Sequence, residues 1–403
     1  VQFRLSNPAE RPPSYLPAVD GLRALSILAV LAFHGVGFLR SALGKQGWLG
    51  VDIFFVISGF LISRLAMAEI NRTGHLDVRR FFLSRVLRIS PAIWVLLSVY
   101  ALTNPLGSDS IFQAVTLAAL NFTDYDVALG WNNSIDSGLS FCWSLAVEEK
   151  FYLFFPFLML FYKRFRSPLC LLMLIGLAEF WKFTQITPTT DALRLMGAFD
   201  TRFDEILIGC LAASLWDRKE RYSSFLNILS KPFVPVSLFL GLMYFFRHFV
   251  YPPALYTLSQ KQLCWIVSIP VFSTLVGLLL LSLTAVQENG KTCLLSRALS
   301  CPPMIAIGRL SYSLYLWHGI AFLLAARLVL PEPWQVDIAK LAISMLIAFI
   351  SYSLIEKPFL KIKKRLTSSA PSIKLNQAQE RVDHVSEAGS SLAHKERELT
   401  VVR

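Results

Sequence analysis

Charge is what this sequence has little of. Only 16% of its 403 residues are Asp, Glu, Lys or Arg, and 54% are hydrophobic. Soluble domains carry roughly 25% charged residues. The balance excludes a disordered chain, which needs high charge and few apolar groups. It also argues against nucleic acid as a partner, although the net charge is +12. Basic binders lay their charge along an open face, whereas here it is parcelled between runs of Leu, Phe and Ile. Metal-ligand spacing is lacking as well. The six cysteines form no CxxC pair, so they read as small packing residues and no metal is expected. No internal repeat is visible, which weighs against transporters built on inverted repeats. No secretory signal is evident either: the first apolar run contains His34 and lacks a small-residue cleavage site.

What the sequence does have is long apolar runs. A spanning helix needs about 20 such residues. Candidates fall at 22–42, 48–68, 86–104, 143–162, 168–184, 204–216, 232–249, 262–285, 304–328 and 336–356. A weaker stretch, 111–122, sits in a segment (105–142) that has acidic residues but no Lys or Arg. The loop after the second span carries Arg64, Arg72, Arg79, Arg80, Arg85 and Arg88, and cytoplasmic loops are the basic ones. Alternation then makes every later inner loop basic, provided 111–122 is re-entrant or surface-lying. The expected fold is all-α: a polytopic integral membrane protein of about ten transmembrane helices plus that short one, both termini cytoplasmic. Residues 1–365 form the transmembrane domain. Residues 366–403, with five basic and five acidic residues, read as a flexible cytoplasmic tail.

Ionisable residues inside spans are functional candidates by default. Arg23 and His34 are eleven residues apart in the first span, about three turns and ~16 Å on one helix face. Asp52 lies near the start of the second span. Glu148 and Glu149 open the fourth, where Glu148 counts to the same depth as His34. A carboxylate beside a histidine suits general-base catalysis, so one of the two glutamates is expected to orient His34. His318 also reaches the outer half. Arg23, Arg85, Arg88 and Arg309 gather at the inner end, and guanidinium forks suit phosphate. Each arginine reads equally as a positive-inside anchor. Glu356 reads first as a helix-end ion pair. Taken together, these residues suggest a path with phosphate-binding arginines at its cytoplasmic mouth and a His–carboxylate group further in, laid out for an acyl-CoA.

These motifs resemble acyltransferase family 3, membrane proteins that O-acylate sugars and other hydroxyl acceptors. The resemblance runs from about Tyr15 to Leu366. It rests on Asp20-Gly21-Leu22-Arg23 with the spacing to His34, and on Gly50-Val51-Asp52 through Ser58-Gly59-Phe60. Arg85-Val86-Leu87-Arg88 and Trp143 through Glu148-Glu149-Lys150 and Tyr152 add to it. Gly308-Arg309-Leu310-Ser311 through His318 and Ile355-Glu356-Lys357-Pro358 complete it. The resemblance implies a cytoplasmic acyl-CoA donor, usually acetyl-CoA, with His34 catalytic and Arg23, Arg85 and Arg88 on the donor side. Trp143, Tyr152 and Ser58 are acceptor-side or structural candidates. Larger members carry an extracytoplasmic SGNH hydrolase-like domain, and none is expected here.

The expected activity is O-acyl transfer to a sugar or glycan hydroxyl, surface polysaccharide and lipopolysaccharide included, in a bacterial inner membrane. His34 acts as general base or as an acyl relay. The lipid bilayer is the other partner; self-association and a separate extracytoplasmic partner stay open. The alternative is an ion or metabolite transporter using the same charges, which would not transfer an acyl group from acyl-CoA.

Overall fold

The computed structural model describes residues 15–43, 46–103, 109–130, 138–165, 167–248 and 257–368, and every element among them is helical. Helix α1 (Pro17–His34) is followed by the short α2 (Gly37–Leu43), then by α3 (Leu49–Thr73) and α4 (Val78–Thr103). Two short helices, α5 (Asp109–Ala119) and α6 (Thr123–Leu129), lead to α7 (Trp143–Phe165) and α8 (Pro168–Gln185). The short α9 (Ala192–Gly197) precedes α10 (Phe199–Asp217), and α11 (Ser223–Leu229) precedes α12 (Phe233–His248). A run from α13 (Leu258–Gln262) through a π-helical turn continues into α14 (Ile269–Glu288). After α15 (Leu294–Leu299) come α16 (Pro302–Ala326), α17 (Pro333–Ser351), a second π-helical turn (Tyr352–Glu356) and α18 (Lys357–Ser368). The tail expected beyond 365 lies outside the described residues after Ser368.

All ten apolar runs coincide with helices. Five among the described residues are long and apolar enough to cross a membrane: Pro17–His34, Leu49–Thr73, Val78–Thr103, Leu258–Glu288 and Pro333–Leu366. A sixth crossing is available as a bent pair, Ser223–Leu229 with Phe233–Phe245, turned by 70°. Several more helices are apolar but carry charges within them, α7 and α10 above all. This is a multi-pass membrane protein. The doubtful stretch 111–122 falls on α5, whose 11 residues span only ~16 Å, half of a hydrocarbon core.

Helix ends differ from the hydropathy reading at two places that bear on the site. The first span was expected to run to 42, but α1 stops at His34. Gly35 there has φ +135°, a value for which side-chain-bearing residues are unsuited. The third span was expected from 86, but α4 begins at Val78, because Arg79, Arg80 and Arg85 are good helix formers that hydropathy does not count. Arg85 and Arg88 therefore sit well inside a helix.

The core is built on two close crossings. Helices α3 and α10 touch backbone to backbone: a Cβ on Gly59 would run into the Ile206 carbonyl, and one on Gly209 into that of Val56. Small residues permit this approach in membrane bundles. Helices α1 and α16 meet in the same way, with Gly308 against the Asp20 carbonyl. The six cysteines are all free, four of them buried, as packing residues should be.

Candidate functional site

One cavity of about 310 Å³ opens among α1, α3, α4, α7 and α16. Arg23, Arg64, Arg85 and Arg88 line it, with Asp20 and Glu148 as its acids. Ser58, Ser144, Tyr152, Ser311, Tyr312 and Tyr315 supply hydroxyls, and Val51, Phe54 and Leu61 supply apolar wall. Arg64 is committed to Glu288 at 3.0 Å. Arg23 is aimed by Ser311, whose Oγ accepts from Nε at 3.3 Å and Nη2 at 3.0 Å. The Arg85 guanidinium stands 5.2 Å from the Tyr152 ring centroid, a cation–π placement. Excess guanidinium over carboxylate makes the cavity an anion site with an apolar wall beside it.

Within the cavity, three side chains form a hydrogen-bonded chain. The Tyr152 hydroxyl donates to Glu148 Oε2 at 3.0 Å and lies 2.6 Å from Ser58 Oγ. Since Tyr152 spends its proton on Glu148, Ser58 donates to Tyr152. At another wall, Ser144 and Tyr315 share a hydrogen bond of 2.6 Å, and Tyr315 donates to the Phe141 carbonyl at 2.8 Å.

His34 does not line this cavity. It is the last residue of α1 and is exposed. Its Nδ1 lies 2.9 Å from the Val30 carbonyl. A carbonyl can only accept, so Nδ1 carries the proton and Nε2 keeps its lone pair. The same holds for His318, whose Nδ1 donates to the Tyr315 carbonyl at 2.6 Å. The two imidazoles are in contact at a tilt, centroids 4.8 Å apart and planes inclined by 52°, and Phe141 and Tyr315 flank His318 at 5.2 and 5.8 Å. Tyr315 thus stands between the cavity and the histidine pair.

The expected pairing of His34 with a glutamate is corrected by this geometry. Depth was counted from a helix end at residue 41, and the helix ends at His34. Glu148 lines the arginine cavity and is taken by Tyr152, while Glu149 is not among the lining residues but is within electrostatic reach of Arg85. The Val30 carbonyl orients His34 instead. Arg309 is also displaced from the expected cluster. It is 56% exposed at the rim, 3.2 Å from the Tyr15 hydroxyl and 3.7 Å from Asp20. Glu356 accepts a hydrogen bond from Ser313 and faces Arg88 and Arg23 electrostatically, so it backs the cavity rather than pairing at a helix end.

Asp52 belongs elsewhere. It forms a fully buried ion pair with Arg202, which also reaches Glu205 at 3.3 Å. The Arg202 guanidinium stands 5.8 Å from the ring centroids of both Phe55 and Trp143 and 5.5 Å from that of Trp265. Trp143 is thus a wall of this charge cluster rather than of the cavity. A second buried cation, Lys182, bridges Asp204 at 2.7 Å and Glu179 at 3.4 Å. Sequence reasoning missed Lys182, Arg202, Asp204 and Glu205. The signal was there, since all four are ionisable residues within apolar runs or at their edge. On α6, outside the spans, Asp124 pairs with Lys150. Burial outweighs that partner and holds the Asp124 carboxyl above its usual range. Burial, with Asp200 nearby, pushes the Tyr125 hydroxyl up to about 12.

Residues 16–353 match the model of acyltransferase family 3, described as an acyltransferase domain. The chain belongs to acyltransferase family 3. It is 30% identical over 368 residues to the peptidoglycan O-acetyltransferase OatA of Listeria monocytogenes, covering 86% of this chain and 56% of that protein. It is 31% identical over 366 residues to the O-acetyltransferase OatA of Staphylococcus aureus, covering 87% and 58%. A putative peptidoglycan O-acetyltransferase of Bacillus subtilis, YrhL, is 28% identical over 371 residues, covering 85% and 55%. The chain thus spans a little over half the length of these curated relatives. No solved structure matches it. The family match takes in every helix that lines the cavity and carries the histidine pair.

Proposed function

We propose that this family member moves an acyl group, most simply acetyl, from acyl-CoA to a hydroxyl of a cell-wall glycan. The observation that carries the reading is the sharing of α1: Arg23 faces the cavity and His34 ends the helix, ~16 Å further along its axis. Arg23, Arg85 and Arg88 hold the phosphates of the coenzyme, and the cavity's apolar wall takes its pantetheine arm. On this reading the basic loops and the mouth face the cytoplasm, with ten spans and both termini inside. His34 Nε2, kept free by the Val30 bond, takes the proton of the acceptor hydroxyl at the opposite end. His318 packs against it at a tilt and supports the orientation that the Val30 bond sets. The relatives' names favour peptidoglycan over lipopolysaccharide as the acceptor class.

The test is mass spectrometry of cell-wall glycans from cells with and without the protein. Loss of acetyl groups from peptidoglycan is expected on deletion, and on replacement by His34→Ala. Unchanged glycan acetylation together with failure of the purified chain to bind acetyl-CoA would sink the reading.

A further inference from the structure

The cavity and His34 are not in contact, so something inside the cavity must meet the acyl group first. Seven hydroxyl side chains line it. Tyr15, exposed at the rim, donates straight to Asp20 at 2.6 Å. Ser144 and Tyr315 spend their protons on each other and on the Phe141 carbonyl. The Tyr312 hydroxyl is held by the Ile89 carbonyl at 2.7 Å. Ser311 is occupied by Arg23. Ser58 alone among these seven reaches a carboxylate through a second hydroxyl, by way of Tyr152 to Glu148.

That order is the one nucleophilic catalysis needs: a hydroxyl, a group to take its proton, and an acid that orients and charges that group. Tyr152 is an unusual middle member, but its setting suits the task. The Arg85 cation over its ring favours negative charge there, and Glu148 can receive its proton. Ser58 itself is half-buried, with its neighbour Gly59 locked against α10, so the hydroxyl is held at a rigid point of the helix.

Resting on the donor reading above, we propose that Ser58 is the first acyl acceptor, with Tyr152 and Glu148 as its proton relay. Ser58 Oγ attacks the thioester carbonyl, the new C–O bond forms and the C–S bond breaks. The Ser58 proton passes to Tyr152 as the Tyr152 proton passes to Glu148. The departing thiolate takes the proton from Glu148 and leaves as the free thiol. The products of this half are the Ser58 acyl ester and coenzyme A. In the second half the acceptor oxygen replaces that of Ser58 past the Ser144–Tyr315 pair, and Ser58 regains a proton from the acceptor.

The experiment incubates the purified full chain with labelled acetyl-CoA and no acceptor, then maps the label by peptide mass spectrometry. The expected result is release of up to one equivalent of free thiol and a label on Ser58. Ser58→Ala should bind acetyl-CoA as wild type does and take no label. Ser58→Cys should take a label that neutral hydroxylamine removes. Tyr152→Phe and Glu148→Gln should slow labelling by about 100-fold or more. A label on His34 or elsewhere, or turnover without label at Ser58 while acetyl-CoA still binds, overturns this inference and leaves the donor reading standing. Failure of the wild type to bind acetyl-CoA overturns the donor reading itself.

Discussion

His34 and His318 pack at a tilt with ring centroids 4.8 Å apart, each with its Nδ1 proton fixed on a backbone carbonyl. The pair therefore presents two Nε2 lone pairs, and no carboxylate bonds to either ring among the described residues. Only His34 is exposed, and His318 is buried. The division of labour that follows is uneven.

His34→Ala should abolish transfer to acceptor, by at least about 100-fold, with acetyl-CoA binding intact. His318→Phe should keep much of the ring contact and a measurable rate, because a ring rather than a base is needed there. Transfer assays with defined glycan fragments beside equilibrium dialysis of acetyl-CoA distinguish the two. Equal losses in both variants would show that His318 does chemistry.

Arg85→Gln and Arg88→Gln should each raise KM for acetyl-CoA by roughly tenfold to a hundredfold, the worth of one charged hydrogen bond. Lys should not restore it where a planar fork is required. Initial-rate kinetics across donor concentration check this. A fall in kcat at constant KM would place these arginines away from the donor.

The Asp52–Arg202 pair is fully buried. Removing one partner strands a charge, so Asp52→Leu or Arg202→Met alone should destabilise the protein by about 3–5 kcal/mol. The double variant should lose less than the sum of the two single changes, because Asp52 and Arg202 no longer strand each other, although Glu205 still loses its cation. Thermal unfolding in detergent reads the difference. Simple additivity would mean the two are not coupled.

On α6, Asp124 retains its proton to higher pH in the folded state than in the unfolded chain. The folded form binds more protons in that window, so this group's contribution to stability falls as pH rises through it. Lys150→Met removes the partner cation and should steepen that fall. Unfolding midpoints measured from pH 4 to 8 test the sign, and a flat profile in the variant would contradict it.

The sequence carried the bundle well and the pairings poorly. Hydropathy located ten helical runs because burial in lipid leaves long unbroken apolar stretches. It misplaced the helix ends at His34 and Val78, where a glycine dihedral and charged helix formers decide, and neither registers as apolarity. The arginines of the cavity were legible from side and spacing: Arg23, Arg85 and Arg88 do converge. The Glu148–His34 pairing failed because depth along two helices says nothing of which faces meet. Asp52 and Arg202 are 150 positions apart, and no local pattern joins them.

One more consequence lies in the π-helical turn Tyr352–Glu356 between α17 and α18. Such a turn holds one residue beyond the α-helical count. It sets the phase of everything after it. Deleting one residue there would rotate α18 by about 100° relative to α17. The helix that packs on α4, which bears Arg85 and Arg88, would then turn a different face to it. Helix α18 is thus indexed to the arginine-lined cavity by a single inserted residue, and a one-residue deletion at that turn should be far more damaging than a substitution there.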